Sequence, residues 1–163
     1  MGAFTAVLLF VSVLLHELGH SVAAKRYGIA VPRITLFVFG GVSEIATEPR
    51  SPRAEFWIAT SGPIVSFALA LIFWELQPFL AHAEPLLASA KYLAILNFVL
   101  GVFNLVPGFP LDGRRIFRSI PWGLTGNFRH SSTIATFTGL ASGFRLIFAG
   151  VWLALSGNLF NGL

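Results

Sequence analysis

Cysteine is absent from this chain of 163 residues, and charged residues are scarce. The absence of cysteine excludes a disulfide framework, a cysteine nucleophile and a thiolate metal ligand. Charged residues make up 11% of the chain, which is about half the fraction usual in soluble domains. Hydrophobic residues make up 55%, and the mean hydropathy is +0.77. These values are typical of a membrane protein that crosses the bilayer several times.

Long apolar segments divide the chain. They lie at about residues 3–24, 54–76, 89–106 and 131–155. A helix rises about 1.5 Å per residue, so each segment can cross most or all of a hydrocarbon core about 30 Å thick. Ser61-Gly62-Pro63 lies inside the second segment and predicts a bend or a close helix contact. No linker or repeat is evident, so residues 1–163 are expected to form a single domain.

The stretch between the first two segments has a different pattern. A β-branched and aromatic run over residues 34–39 precedes Gly40-Gly41, and a second short run follows to about residue 46. This pattern favours one or two short strands around a glycine turn. The predicted fold is therefore an all-α polytopic membrane protein. It is a bundle of four to five transmembrane helices with a short β-hairpin or edge strand near residues 34–46.

Basic residues concentrate on one side of this predicted bundle. Nine of the eleven follow the first or the third apolar segment: Lys25, Arg26, Arg33, Arg50, Arg53, Arg114, Arg115, Arg118 and Arg129. Positively charged short loops stay on the cytoplasmic side of a membrane. The pattern predicts an integral protein of the cell (inner) membrane with this side cytoplasmic. It also argues against a nucleic-acid partner despite a pI near 10.4, since the basic residues occupy short loops.

The first apolar segment contains His16-Glu17-Leu18-Gly19-His20. Residues four apart lie on one face of a helix, so both imidazoles project in the same direction. Two histidines and a carboxylate at this spacing match the arrangement in which the histidines bind a metal and the glutamate acts as general base. Ionisable groups are costly at membrane depth and are functional candidates there. The motif therefore predicts metal chemistry inside a membrane.

A catalytic zinc usually has three protein ligands, so a third is required. Glu44, Glu48, Glu55 and His130 lie on the same predicted side, but near the surface or the membrane interface. Asp112 is the best candidate. It follows a helix ended by Pro107 and Pro110, and irregular backbone at membrane depth is tolerated only inside protein or beside a wet cavity. The alternative for Asp112 is a helix N-cap.

The chain resembles the site-2 protease family of intramembrane zinc metalloproteases. The resemblance rests on the HELGH motif at residues 16–20 and on the later motif NLVPGFPLDG at residues 104–113, in that order. It implies that His16, His20 and Asp112 bind one zinc ion and that Glu17 activates a water molecule. It also implies that Asn104 contacts the substrate backbone or the oxyanion. The expected substrates are membrane-spanning segments of other proteins within the lipid bilayer.

The chain departs from the family pattern at three points. Arg114 follows the LDG sequence where the family usually has a second glycine, which leaves Asp112 itself intact. Members also often have a helix before the HELGH segment and a further helix at the end. The resemblance therefore predicts either a minimal or a partial member of the family.

Several alternatives remain beside this interpretation. Asn104 could instead make an interhelical hydrogen bond. Gly40 and Gly41 could form a simple turn, or part of an edge strand that pairs with an extended substrate. At the level of function, the alternatives are a membrane metal transporter and a catalytically silent homologue that binds membrane clients. Zinc fits two histidines and an aspartate best, although iron or cobalt can occupy such a site.

Overall fold

The computed structural model describes residues 2–31, 33–37, 40–44, 49–108 and 110–156. Its helices are α1 (Gly2–Arg26), α2 (Pro52–Glu75), α3 (Glu84–Asn104), α4 (Asp112–Thr125) and α5 (Phe128–Leu155), with a short 3-10 helix at Gln77–Leu80. By length and composition, four of these helices can cross a membrane: α1, α2, α3 and residues Phe128–Ala154 of α5. The prediction of a polytopic α-helical membrane protein is confirmed.

Two short strands lie between α1 and α2, where the sequence predicts a hairpin or edge strand. They are β1 (Arg33–Phe37) and β2 (Gly40–Glu44), and they pair antiparallel. Arg33 lies opposite Glu44, and Phe37 lies opposite Gly40. Both strands lie against α1. Residues 38–39, between the strands, and residues 45–46, at the end of the predicted segment, lie outside the described residues.

The faces of α1 are reversed relative to those of a helix in a soluble protein. Its buried residues are mostly polar: Ser12, His16, Glu17, His20, Ser21 and Ala24. Its exposed residues are large and apolar: Phe4, Val7, Phe10, Val11, Leu14, Leu18 and Val22. Lipid solvates apolar side chains, whereas polar ones are retained only where neighbouring helices cover them. This reversal places the HELGH motif in the interior of the bundle.

Helix α2 is the central helix and packs against α1, α3 and α4. It continues through Pro63 as one helix, and at Ser61-Gly62-Pro63 it makes a close contact with α1, which is one of the two predicted alternatives. The two backbones approach closely at this contact. A Cβ added to Gly19 of α1 would lie 2.9 Å from Val65 Cγ2 and 3.0 Å from the Ser61 carbonyl oxygen. Small residues at such crossings let two backbones approach closely in a membrane.

Polar pairs join α1 to α3. The Thr5 and Ser89 hydroxyls are 2.9 Å apart. Asn97 Nδ2 donates to Ser12 Oγ at 3.2 Å and to the Leu93 carbonyl at 2.9 Å. An interhelical hydrogen bond from an asparagine of α3 is therefore made by Asn97, seven residues before Asn104.

Helix α4 is a short amphipathic helix that begins directly after the segment containing Pro107 and Pro110. It packs on α2 and α5, whereas α5 packs mainly on α4. Gly126, at φ 67°, ends α4 in the left-handed conformation that glycine adopts without strain. Asn127 then caps α5 by accepting a hydrogen bond from the backbone of His130. This order of packing fixes the start of α4 beside the interior face of α1.

Candidate metal centre

Three predicted ligand side chains meet in the interior of the bundle, between the helices. His16 Nε2 and His20 Nε2, one turn apart on α1, are separated by 3.3 Å. Asp112 Oδ2 lies 3.3 Å from His16 Nε2 and 3.1 Å from His20 Nε2. Both histidines are buried, with 3% and 4% of their surface exposed. Residues distant in sequence, on α1 and α4, therefore direct one atom each to a common point.

Helix α2 fixes the orientation of both imidazole rings. His16 Nδ1 lies 2.8 Å from Ser66 Oγ, and His20 Nδ1 lies 2.7 Å from the backbone carbonyl of Ile58. A carbonyl only accepts, so His20 Nδ1 carries a proton, and in the neutral ring the Nε2 lone pair is free to bind a metal. Metal-binding histidines almost always have their second nitrogen held in this way.

Gly62 leaves space beside the two ligand nitrogens. A Cβ at this position would lie 2.2 Å from His20 Nε2 and 2.6 Å from His16 Nε2. Any other residue would therefore force the imidazoles aside or fill the space between them. The close helix contact predicted at Ser61-Gly62-Pro63 thus has a local reason, which is the room that the cluster requires.

Asp112 is the first residue of α4, directly after the irregular segment that follows α3. The residue at the N-cap position is Leu111, which makes no side-chain capping bond. The Asp112 carboxylate is instead directed to the two histidines. A Cβ on Gly113 would lie 2.2 Å from the Leu105 carbonyl oxygen, so this glycine lets α4 begin against the preceding loop. The N-cap alternative for Asp112 is therefore not the arrangement in the structure.

The ionisation of Asp112 suits metal binding. Burial raises the pKa of this carboxyl, but the hydrogen bonds that His16 and His20 donate when their Nε2 atoms are protonated, together with the charges of the two rings, lower the pKa by more, to about 2. A carboxyl with this pKa is deprotonated at neutral pH. Asp112 therefore presents the anionic oxygen that a metal ligand needs.

The geometry of the three donors fits a zinc ion. Ligand bonds of about 2.0–2.1 Å in a tetrahedron place donor atoms about 3.3 Å apart, and the observed separations are 3.1–3.3 Å. Two imidazole nitrogens and one carboxylate oxygen are a donor set found in catalytic zinc sites, which keep a fourth position for water. The residues present therefore fit the metal that the sequence pattern implies.

Glu17 lies beside this cluster on the same helix. It is 7% exposed, and its carboxylate interacts electrostatically with His20. The sequence predicts Glu17 as the general base, and its burial next to the ligands is compatible with that role. A buried carboxylate that is not one of the three clustered ligands is the group expected to exchange protons there.

The other predicted contact residues lie on α3 and β2. Asn104 ends α3, is half-buried, and donates from Nδ2 to the Leu100 carbonyl of its own helix at 3.0 Å. Gly40 and Gly41 form the start of β2, where Gly40 pairs with Phe37. Their roles toward a substrate stay predictions.

The expectation that Glu55 lies near the surface is wrong. Glu55 is fully buried in the first turn of α2 and forms an ion pair with Arg118 of α4. Glu55 is buried because it lies on the face of α2 that packs against α4. His82, Glu84 and His130 are exposed. Glu44 lies at the end of β2, and Glu48 lies outside the described residues.

Sequence reasoning predicted a close contact at Gly62, but it missed that one face of α2 lies against the cluster. Glu55, Ile58, Gly62 and Ser66 are spaced by three, four and four residues, and all four are buried. This spacing places them on one helical face. A stripe of polar and small residues through an otherwise apolar span is the signal that indicates an interior face.

The chain is similar to known proteins over most of its length. The sequence pattern of Peptidase family M50 matches residues 4–83 and 76–146. The chain is 39% identical to the Mycobacterium tuberculosis protein Rip3 across its whole length, and covers 42% of that protein. It is 44% identical over 117 residues to a zinc metalloprotease of Methanocaldococcus jannaschii, covering 70% of this chain and 33% of the relative.

A solved structure shows the same fold. The site-2 protease from Methanocaldococcus jannaschii superposes with a TM-score of 0.68 at 35% identity, over 94% of this chain and 68% of that structure. The chain spans less than half the length of the two relatives compared above. The family match covers most of the sequence, including both histidines, Glu17 and Asp112. The chain therefore belongs to peptidase family M50, the zinc metalloprotease family that includes the site-2 proteases.

Proposed function

We propose that this chain is the core of a zinc-dependent intramembrane endopeptidase that cleaves transmembrane segments of membrane proteins. The observation that carries the proposal is the buried cluster of His16, His20 and Asp112 next to buried Glu17, on a helix apolar enough to span a membrane. Residues 1–163 act as one domain in this proposal. Family membership and the matched site-2 protease structure support it.

His16, His20 and Asp112 hold one zinc ion per chain in this proposal. Bound zinc supplies Lewis-acid chemistry, lowering the pKa of water toward neutrality and polarising a carbonyl. The hydrogen bonds that His16 Nδ1 donates to the Ser66 hydroxyl oxygen and His20 Nδ1 donates to the Ile58 carbonyl keep both imidazoles directed at the ion. The surrounding apolar helices keep bulk water from the site and so strengthen its electrostatic interactions.

Glu17 is the proton carrier in the proposed reaction. Its carboxylate accepts a proton from the attacking water and delivers it to the amine of the leaving peptide, as the glutamate of an HExxH motif does. The Asn104 amide contacts the substrate backbone or the developing oxyanion. The strand that contains Gly40 and Gly41 pairs with the extended substrate by main-chain hydrogen bonds.

The proposed site faces the cytoplasm. The basic residues that follow α1 and α3 identify the cytoplasmic ends of these helices. His20 and His16 precede Lys25 by five and nine residues, which corresponds to about 8 and 14 Å of helix rise. Water therefore has a short path to the metal from that side.

A metal transporter is a weaker candidate. A transport route requires ligands at several depths, including both faces of the membrane. Among the described residues, His16, His20 and Asp112 form the one group suited to a metal ion. That group lies near one end of the bundle, with a buried carboxylate beside it, which favours hydrolysis over transport.

The proposal is tested by cleavage of a model transmembrane substrate in detergent, with zinc content measured on the same samples. Glu17→Gln removes the proton acceptor but keeps the size of the side chain. We expect it to retain about one zinc and to lose cleavage by at least about 100-fold. Glu75→Gln, at the exposed end of α2, is the control and should cleave normally. Equal cleavage by Glu17→Gln would reject the role of Glu17. Zinc binding without cleavage by the wild type would favour a client-binding homologue.

A further inference from the structure

A buried ion pair joins α2 to α4 outside the ligand cluster. Arg118 Nε donates to Glu55 Oε1 at 2.9 Å, and Arg118 Nη2 donates to the same oxygen. The Arg118 side chain is 12% exposed, and the Glu55 side chain is fully buried. Arg118 also reaches α5, where Nη1 donates to Ser132 Oγ at 3.5 Å and the guanidinium lies 4.6 Å from the centre of the Phe128 ring. One guanidinium therefore connects three helices.

Stability alone is a poor explanation for this pair. Removing two charges from water is costly, and replacing a buried ion pair by apolar residues of similar volume is often neutral or stabilising. Glu55 Oε2 accepts no hydrogen bond from the described residues, so the carboxylate is incompletely compensated. A pair of this kind instead specifies how two elements are arranged, as buried polar groups do in some proteins.

The pair lies on the same face of α2 that supports the metal cluster. Ile58 and Ser66 of this face hold the rings of His20 and His16, and Gly62 gives them room. Glu55 lies one turn before Ile58, so it extends the same stripe toward the end of α2. One face of one helix thus orients both histidines and also holds α4.

Helix α4 carries the third ligand at its first residue. Arg118 follows Asp112 by six residues, which is about 9 Å along the helix axis. At the opposite end of α4, Gly123 lies close to Pro52 at the start of α2. A Cβ added to Gly123 would lie 3.6 Å from Pro52 Cβ, which is an ordinary contact distance. The Arg118 side chain connects α4 to α2 by an ion pair.

We propose that Glu55 and Arg118 are positioning residues that fix α4 against α2 so that the Asp112 carboxylate reaches the two histidines. The inference rests on the proposed ligand set. Glu55 and Arg118 do not touch the metal and act only through the placement of Asp112. Loss of the ion pair between Glu55 and Arg118 therefore weakens the bond from Asp112 to the metal. The positions of the two histidines do not change.

The test is a cobalt(II) titration of the purified full chain in detergent, followed by the visible absorption bands of the bound ion. Glu55→Gln is compared with the wild type, and the same substitution is made in an Asp112→Ala background. We expect Glu55→Gln to weaken cobalt binding by about 10–100-fold in the wild type, as outer-shell changes do. In the Asp112→Ala background we expect less than about a 2-fold change, since the residue through which it acts is gone. Glu75→Gln, exposed on the same helix, is the control.

The double-mutant comparison separates positioning from a general loss of structure. A merely structural role would weaken metal binding by the same factor in both backgrounds, and that result overturns the inference, as does an unchanged affinity in Glu55→Gln. If Glu55→Gln is aggregated or loses helix content, Arg118→Lys replaces it under the same criteria, because it keeps the charge but not the two-nitrogen contact. A wild type that does not bind cobalt rejects the proposed ligand set together with this inference. Binding that depends on Asp112 but not on Glu55 rejects this inference alone.

Discussion

Helices α2 and α5 are similar in length and hydropathy but differ in what surrounds them. The most apolar windows of the two helices have mean hydropathies of 1.9 and 1.5, yet 33% of the α2 window and only 6% of the α5 window is buried. Helix α2 contacts the helices α1, α3 and α4, whereas α5 packs mainly on α4. Hydropathy therefore identifies both as membrane spans without distinguishing the central helix from the peripheral one.

The two helices differ in which of their residues are buried in the bundle. The buried residues of α2 include Glu55, Gly62 and Ser66. The exposed residues of α5 include Phe144, Ile147, Phe148 and Trp152. Lipid and apolar side chains attract each other about as well as two apolar side chains do, so burial in a membrane depends on small and polar contacts. The following predictions test that contrast, beginning with the glycine nearest the ligands.

The largest effect is expected at Gly62. An alanine methyl group at this position would lie 2.2 Å from His20 Nε2 and 2.6 Å from His16 Nε2. The rings cannot turn away without breaking their hydrogen bonds to Ser66 and the Ile58 carbonyl. We expect Gly62→Ala to weaken zinc binding by more than about 100-fold, measured by competition with a chromophoric chelator.

The control for this variant is on α5. Gly143→Ala adds a methyl group that meets no atom within 4 Å, so zinc binding should equal that of the wild type. If Gly62→Ala binds zinc as tightly as Gly143→Ala, the placement of Gly62 beside the two ligand nitrogens is wrong.

The second effect is expected at the start of α4. A Cβ on Gly113 would lie 2.2 Å from the Leu105 carbonyl oxygen and 2.4 Å from that of Val106. Backbone atoms cannot rotate away, so Gly113→Ala should displace the first turn of α4 and with it Asp112. We expect zinc affinity to fall by about 10–100-fold. Gly123→Ala, on the same helix but with 3.6 Å to its nearest neighbour, should bind normally. Equal zinc affinity in the two variants would contradict a tight start of α4.

How much of this arrangement can be predicted depends on whether the information is local. The spacing of His16, Glu17 and His20 is local and fixes their common helical face before any folding is considered. The four spans and the hairpin region follow from local hydropathy and β-propensity. Asp112 lies 92 residues after His20, so its choice as third ligand required elimination and the resemblance to a family.

The contacts that connect distant segments could not be predicted in this way. Glu55 is a charged residue next to a basic loop, where exposure is the usual outcome, and its burial depends on Arg118, 63 residues later. The hydrogen bond from α3 to α1 is donated by Asn97 to Ser12, which are 85 residues apart, whereas Asn104 donates within its own helix. Neither pairing has a signature within one segment.

The third effect is expected at Ser66. Ser66→Ala removes the hydroxyl that lies 2.8 Å from His16 Nδ1 without adding any atoms. The ring keeps its packing but loses the bond that orients it, so we expect about a 10-fold loss of zinc affinity. Thr60→Val, which removes a hydroxyl bonded only within α2, is the control for loss of a polar group. Indistinguishable affinities for the two variants would show that Ser66 does not orient His16.

The smallest effect is expected on the outer face of α5. Phe148 is 75% exposed and faces the surroundings that we assign to lipid, so Phe148→Leu exchanges one apolar group in lipid for another. Zinc affinity should be unchanged, and the thermal unfolding midpoint in detergent should stay within about 2 °C of the wild type. A midpoint lowered by more than about 5 °C would mean that this face packs against protein. Helix α5 would then be an interior helix like α2. Its exposed face would be the surface that contacts another protein segment or a second copy of the chain.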